Sequence, residues 1–227
     1  SLGDIYINDA FSCSHRAHAS IEGITKYIPS YFGLQITEEI NALKRITSEI
    51  KKPITLIIGG SKISTKIKII KNLISKFDDI IIVGGMANTI LKHTGSKIGK
   101  SIYDRDCENL IKEILEKSKE HNCQINCPTD VVVSKDLNGI GKNKEISEIE
   151  SDEIILDIGP KTILSIKKII DNSNTVLWNG PPGYFENSNF ANGTKQIIKI
   201  ITEKTLKDKI FSVAGGGETV AAINKFN

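Results

Sequence analysis

Residues 54–60, ITLIIGG, and the stretch that follows at 61–77, SKISTKIKIIKNLISKF, decide the fold. A short, continuous apolar run that ends in glycines reads as a strand buried on both faces. After it, Ile63, Ile67, Ile70, Leu73 or Ile74, and Phe77 recur at helical spacing, which predicts an amphipathic helix of four turns. Upstream, Ile36, Ile40, Leu43, Ile46 and Ile50 form another helical stripe, with Thr37 and two glutamates at its start and Lys51-Lys52-Pro53 at its end. Downstream the strand-then-helix unit recurs. Residues 79–85 (DIIIVGG) lead into a helix through Met86 to Lys92, which Gly95 can terminate. Residues 131–134 (VVVS) end a strand, and the polar stretch 135–153 is expected to be a loop or small hairpin. Pro160 occupies the favoured first position of a helix covering Ile163 to Ile170. The strand 175–180 (TVLWNG) runs into Pro-Pro-Gly, and 210–217 (IFSVAGGG) is the last strand, followed by a helix through Val220 and Ala221. Such alternation predicts an α/β fold: a doubly wound, Rossmann-like parallel sheet with helices on both faces. The irregular spacing excludes a short-period solenoid.

The 227 residues have room for one large α/β domain or one domain and a piece of another. A hydrophobic content of 39% with 25% charged residues supports a real core and argues against disorder. The net charge of +3 is mild and the lysines are dispersed, so nucleic acid is not an expected partner. No run of about 18 apolar residues exists to span a membrane. The start, Ser1-Leu2-Gly3-Asp4, carries neither an initiator Met nor a basic-then-apolar leader, and reads as the middle of a longer chain. Cys13, Cys107, Cys123 and Cys127 form no CxxC pair and lack zinc spacing; Cys123 and Cys127, four apart near a strand start, read as small buried apolar residues, with reduced thiols and a cytoplasmic setting expected.

Four strand-to-helix turns are glycine-rich: Gly59-Gly60, Gly84-Gly85, Asn179-Gly180 with Gly183, and Gly215-Gly216-Gly217. In an open parallel sheet these turns share the edge formed by the strand carboxyl ends, where ligands bind. Glycine also serves any tight turn, yet four together favour a nucleotide or phosphate site, because the backbone approaches closely and the next helix offers free N–H groups. Lys62 and Lys66 lie four apart, on one face of the predicted helix start. Cations there oppose the helix dipole and each other, and a bound polyphosphate reverses both effects; two solvated lysines are the bland alternative. GGSKISTK lacks the Walker A spacing. Glu218 and Thr219 put a carboxylate and a hydroxyl at a helix start, which suits either the dipole alone or a hard Mg²⁺ beside phosphate. Glu186 follows the NGPPGYF turn, where it can start the next helix or accept hydrogen bonds from a ribose. His15 and His18 have no third ligand nearby for a metal, whereas Arg16 suits an anion. No turn reads GxGxxG with an acidic residue about 20 positions on, which disfavours a nicotinamide dehydrogenase.

The segments NDAFSCSHRAHAS, IIGGSKISTKIKIIKNL, IIIVGGMANTIL, DIGPKT, VLWNGPPGYFE and VAGGGETVAAI resemble, in order, the motifs of the phosphoglycerate kinase family. The resemblance implies a two-lobed, monomeric enzyme that moves a phosphoryl group between 1,3-bisphosphoglycerate and ADP, giving 3-phosphoglycerate and ATP, with Mg²⁺ as cofactor. It implies that residues 1–35 are the remnant of a substrate lobe, 36–52 the interdomain helix and 53–227 a C-terminally truncated nucleotide lobe. Arg16, with His15 beside it, looks like a phosphoglycerate ligand. Lys66 looks like the lysine that follows the transferring phosphoryl group, and Lys62 like its neighbour. Gly84 and Gly85 resemble the floor under the adenine; Asn179, Gly180 and Pro181 the wall beside the nucleotide; Glu186 the ribose contact. Gly215, Gly216, Gly217, Glu218 and Thr219 resemble the phosphate and Mg²⁺ turn, with Gly217 contributing to catalysis and Glu218 to the metal. Two departures stand out: the family usually has Asp where this chain has Glu218, and most of a substrate lobe and a terminal glycine-rich segment are absent. A catalytically inactive piece that still binds nucleotide is the alternative expectation.

Overall fold

The computed structural model describes residues 3–48, 50–61, 64 and 66–226. The chain divides into two compact units, Ser1–Ile50 and Lys51–Asn227.

In the first unit, strand β1 (Tyr6–Asn8) pairs in parallel with β2 (Ser30–Phe32), and helix α1 (Leu34–Ser48) follows. The helix starts two residues before the predicted stripe because its capping carboxylate comes from far away in sequence. Asp9 Oδ1 accepts from the Ile36 N–H at 3.0 Å, while the Thr37 hydroxyl donates back to Gly33 O. Within this unit Ile36 is buried and Leu43 is exposed.

The second unit is built on a five-stranded parallel sheet in the order β10 (Phe211–Gly215), β9 (Thr175–Asn179), β3 (Ile54–Ile58), β4 (Asp79–Ile82), β5 (Gln124–Asn126). Strand alternation sends Ile54, Leu56, Ile58, Ile80 and Ile82 to one face and Ile57, Ile81, Val176 and Trp178 to the other. The first face is covered by α2 (Ile67–Leu73), α3 (Gly84–His93) and α4 (Glu108–Glu120), through Ile70, Met86, Ile90, Ile111 and Ile114. The second is covered by α5 (Pro160–Asp171), α6 (Asn192–Thr205) and α7 (Gly217–Phe226), through Ile163, Ile166, Ile170, Ile197 and Ile201, with Ile223 packing against them. The doubly wound sheet expected from the alternation is present. Cys123 belongs to the first core and Cys127 packs against it; burial pushes both thiols up to about 12, so both are inert.

Two expectations need correction. The helix expected from Ile63, which lies outside the described residues, is shorter than four turns: Ser64 and Lys66 are in turn conformation, α2 begins at Ile67, and a 3-10 turn at Ile74–Lys76 completes the stripe that Ile70, Ile74 and Phe77 bury. The residues before it are tied elsewhere by side-chain bonds described below. In addition, the strand at 131–134 does not extend the parallel sheet. β6 (Asp130–Ser134) lies between β7 (Lys142–Glu145) and β8 (Ile154–Ile158) in a separate antiparallel sheet, with a bulge between Val132 and Val133. The polar stretch 135–153 thus includes a hairpin strand, and β8 went unpredicted. Asp130, buried at the foot of this sheet, accepts the Lys161 and Thr162 N–H groups and so caps α5.

Candidate functional site

Because β3, β4, β9 and β10 are parallel, the four glycine turns that follow them emerge on one edge of the sheet. They are stitched together by specific bonds. Asn179, at the end of β9, donates its Nδ2–H to Gly215 O at 3.0 Å, which fixes the amide so that Oδ1 faces β3. That oxygen accepts from Lys66 Nζ at 2.6 Å, and Gly59 O accepts from the same ammonium at 2.5 Å. Gly180 has φ +103°, and a Cβ there would stand 2.4 Å from Gly59 O, so only glycine fits between these turns. Its N–H donates to Thr219 Oγ1 at 2.7 Å; Thr219 is fully buried. The structure therefore uses the Thr219 hydroxyl to lock the β9 turn to the start of α7.

Lys66 occupies the cap position of α2. Burial lowers its pKa, and the charge of Glu218 acts in the opposite direction, so the two side chains feel one another across the edge. Glu218 is exposed in the first turn of α7, and Gly217 has open space where a Cβ would be. Lys62 lies outside the described residues.

Between the glycine turns and the antiparallel sheet lies a cleft of about 260 Å³. Its glycine side includes Gly60, Ser61, Gly84 and Gly85, and Glu218 stands at the rim. The opposing side is apolar, with Leu137, Ile155 and Leu156 among its lining; Ile102 and Pro181 lie beside the glycine turns, and Glu186 also contributes. Glu186 is exposed, and Lys225 donates to its backbone carbonyl. Of the predicted nucleotide-binding residues, Gly84, Gly85, Pro181, Glu186 and Glu218 line this cleft, and Lys66, Asn179, Gly180, Gly215 and Thr219 form the bonded edge beside it. Gly216, with φ +92°, and Gly217 form the turn into α7.

One functional candidate escaped the sequence reading. Asp157 lines the cleft, is buried, and accepts the Ile158 and Gly193 N–H groups at 2.9 and 2.7 Å, the second at the start of α6. Burial raises its carboxyl from the ordinary 3.8 to about 7, and the two N–H donors pull the other way. A single Asp inside the apolar run IILDI was the available signal. Among the described residues no group of three His, Cys, Asp or Glu is arranged to hold a metal. His15 and Arg16 belong to the first unit, where both are exposed and the Arg16 Nε donates to His15 Nε2 at 3.4 Å.

An open parallel sheet with a cleft at its strand carboxyl ends, glycine turns on one side and apolar residues on the other defines the doubly wound α/β class that takes ligands at this edge. The family model for phosphoglycerate kinase matches residues 1–227, and the chain belongs to the phosphoglycerate kinase family. Among curated relatives, the phosphoglycerate kinase of Wolbachia pipientis from Culex pipiens is 47% identical over 225 residues, covering 99% of this chain and 57% of the relative. That of Francisella philomiragia is 46% identical over 230 residues, covering 100% and 58%. The solved phosphoglycerate kinase of Coxiella burnetii matches with a TM-score of 0.89 at 38% identity, covering 100% of this chain and 58% of that one. The Pyrococcus horikoshii enzyme matches with a TM-score of 0.82 at 27% identity, covering 99% and 56%. The chain thus spans a little more than half the length of these relatives. No helix among the described residues is long and apolar enough to cross a membrane.

Proposed function

We propose that the second unit binds the nucleotide of a phosphoglycerate kinase, and that the protein to which it belongs transfers a phosphoryl group reversibly between 1,3-bisphosphoglycerate and ADP in glycolysis, as a cytoplasmic monomer. The observation that carries this reading is the Lys66 ammonium, held by Gly59 O and Asn179 Oδ1 where four glycine turns converge. The base lies against the apolar side of the cleft, over Gly84 and Gly85, with Glu186 on the ribose. The phosphates run toward Lys66 and the turn Gly215–Gly217 that opens α7.

Lys66 then exchanges its carbonyl and amide partners for the transferring phosphoryl oxygens. The N–H groups at Gly217 add positive potential, and together these groups stabilise the spread negative charge of phosphoryl transfer. No general base is needed, because the attacking β-phosphate oxygen is already ionised. An exposed carboxylate in the first turn of α7, beside the phosphate turn, fits Mg²⁺, which keeps several waters and takes one or two carboxylates plus phosphate oxygens. Glu218 is the residue that would hold it; when bound, the ion neutralises phosphate charge. Lys62 adds to the same positive field. In the first unit, Arg16 and His15 contact phosphoglycerate, within a substrate-lobe remnant at 1–35 joined through the helix at 36–52 to the nucleotide part at 53–227.

Calorimetry of the chain with MgADP tests the binding half of this reading: heat of binding supports it, and no binding overturns it. In a chain carrying both lobes, Lys66→Ala is expected to lower turnover by about a hundredfold or more, the scale of losing one preorganised charge-stabilising group. Unchanged turnover would remove the mechanism. Because the chain spans just over half of its relatives, binding without turnover is the expected behaviour of these 227 residues alone.

A further inference from the structure

The segment that carries Lys66 is anchored at a second point, outside the glycine turns. Asp104 Oδ2 accepts both the Ser64 N–H, at 2.9 Å, and the Ser64 hydroxyl, at 2.8 Å. Asp104 is itself tied to α3. Its N–H donates to Thr89 Oγ1 at 3.0 Å, and the fully buried Thr89 hydroxyl donates to Gly85 O at 2.9 Å. His93 Nε2 lies 3.4 Å from Asp104 O, and Asn88 Nδ2 donates to Ile102 O at 3.2 Å, two residues before the carboxylate. At its other end the segment rests directly on α3: Gly60 O accepts from Met86 N–H at 2.9 Å, and a Cβ at Gly85 would stand 2.8 Å from Ser61 O. The helix that starts under the cleft therefore grips the lysine segment before and after its middle.

We propose that Asp104 is a positioning residue for phosphate recognition: through Ser64 it holds the Lys66 segment in register with the Gly84–Gly85 turn, so that the phosphate-seeking ammonium and the nucleoside floor keep a set separation. The proposal rests on the reading of Lys66 as a phosphate contact. Its physical basis is preorganisation. Between Gly60 and α2 the described residues Ser61, Ser64 and Lys66 belong to no helix or strand. Ordering such residues only when ligand arrives would subtract from affinity, and a charge-assisted pair of bonds from a fixed carboxylate removes that loss in advance.

The test compares ADP with adenosine, titrated into the chain and its variants, because only ADP reports on the lysine. Asp104→Ala is expected to weaken ADP about tenfold, the equivalent of about 1.4 kcal/mol, and to leave adenosine unchanged. Asp104→Asn keeps an acceptor but loses the charge on both bonds, and Ser64→Ala removes one of the two, so both should fall between, at about threefold. An unchanged ADP-to-adenosine preference in Asp104→Ala, or equal weakening of both ligands, would overturn the proposal. Lys66→Ala separates the two layers. If it fails to lower the preference, the reading of Lys66 is wrong; if it lowers the preference while Asp104→Ala does not, only the role of Asp104 is wrong.

Discussion

The two sides of the cleft are built on different principles. The parallel-sheet side consists of turns at the carboxyl ends of β3, β4, β9 and β10, where side chains are missing and backbone groups and a few polar atoms carry the contacts. The antiparallel side, β6 and β8 with the residues they support, offers the cleft aliphatic side chains and the buried carboxylate of Asp157. A polyphosphate needs the first kind of surface, because N–H groups and an ammonium can replace its water. A nucleobase needs the second, because apolar area is what it can bury. On the proposed function, a nucleotide's two chemistries would each meet a sheet of a different type.

The contrast yields predictions of decreasing size. The largest concerns Asp157 on the apolar side. Its folded-state pKa of about 7 lies above the ordinary 3.8, so the folded protein holds this proton more tightly than the unfolded chain does. The stability this contributes is fully present below pH 4 and is lost as pH rises toward 7, on the order of 4 kcal/mol over that window. Asp157→Asn, which stays neutral, should therefore gain stability relative to the parent as pH rises from 4 to 7. Denaturant melts across that range check it, and parallel curves for the two proteins would contradict the burial argument.

Next is Gly180→Ala on the glycine side. It forces a side chain into φ +103° and drives a Cβ to 2.4 Å from Gly59 O, so it should lower unfolding stability by about 3 kcal/mol. A smaller loss, measured by urea midpoint, would mean that the two turns separate readily. The smallest effect is expected at Ile102, which lines the cleft yet is 61% exposed. Ile102→Ala should change stability by less than about 0.5 kcal/mol but weaken adenosine by about 1 kcal/mol, given the apolar area a base would cover there. Equal adenosine affinity in that variant would place the base elsewhere.

Much of the fold was legible because its signals are local. A run such as IIIVGG announces a buried strand and its turn within six residues, and the helices at 160–171 and 34–48 show in the spacing of their apolar residues, although the second stops at Ser48, short of the expected Ile50. The antiparallel sheet was not legible. β8 reads as one more apolar run, and nothing in IILDI tells whether it joins β3 and β4 or pairs backwards with β6. The late start of α2 was hidden for a related reason: the helical pattern from Ile63 is genuine, but Ser64 and Lys66 find partners that outcompete a first helical turn.

By itself, then, the sequence determined the strands β3, β4, β9 and β10, their glycine turns and the pair Lys62 and Lys66 beside the first of them, since each rests on neighbours a few residues apart. Only the tertiary structure decided how these become a site. Asp9 caps a helix 27 residues away, Asp104 reaches Ser64 across 40, and Thr219 reaches Gly180 across 39. Contacts over such separations depend on how sheets and helices pack, and packing leaves no periodic mark on the residues that it brings together.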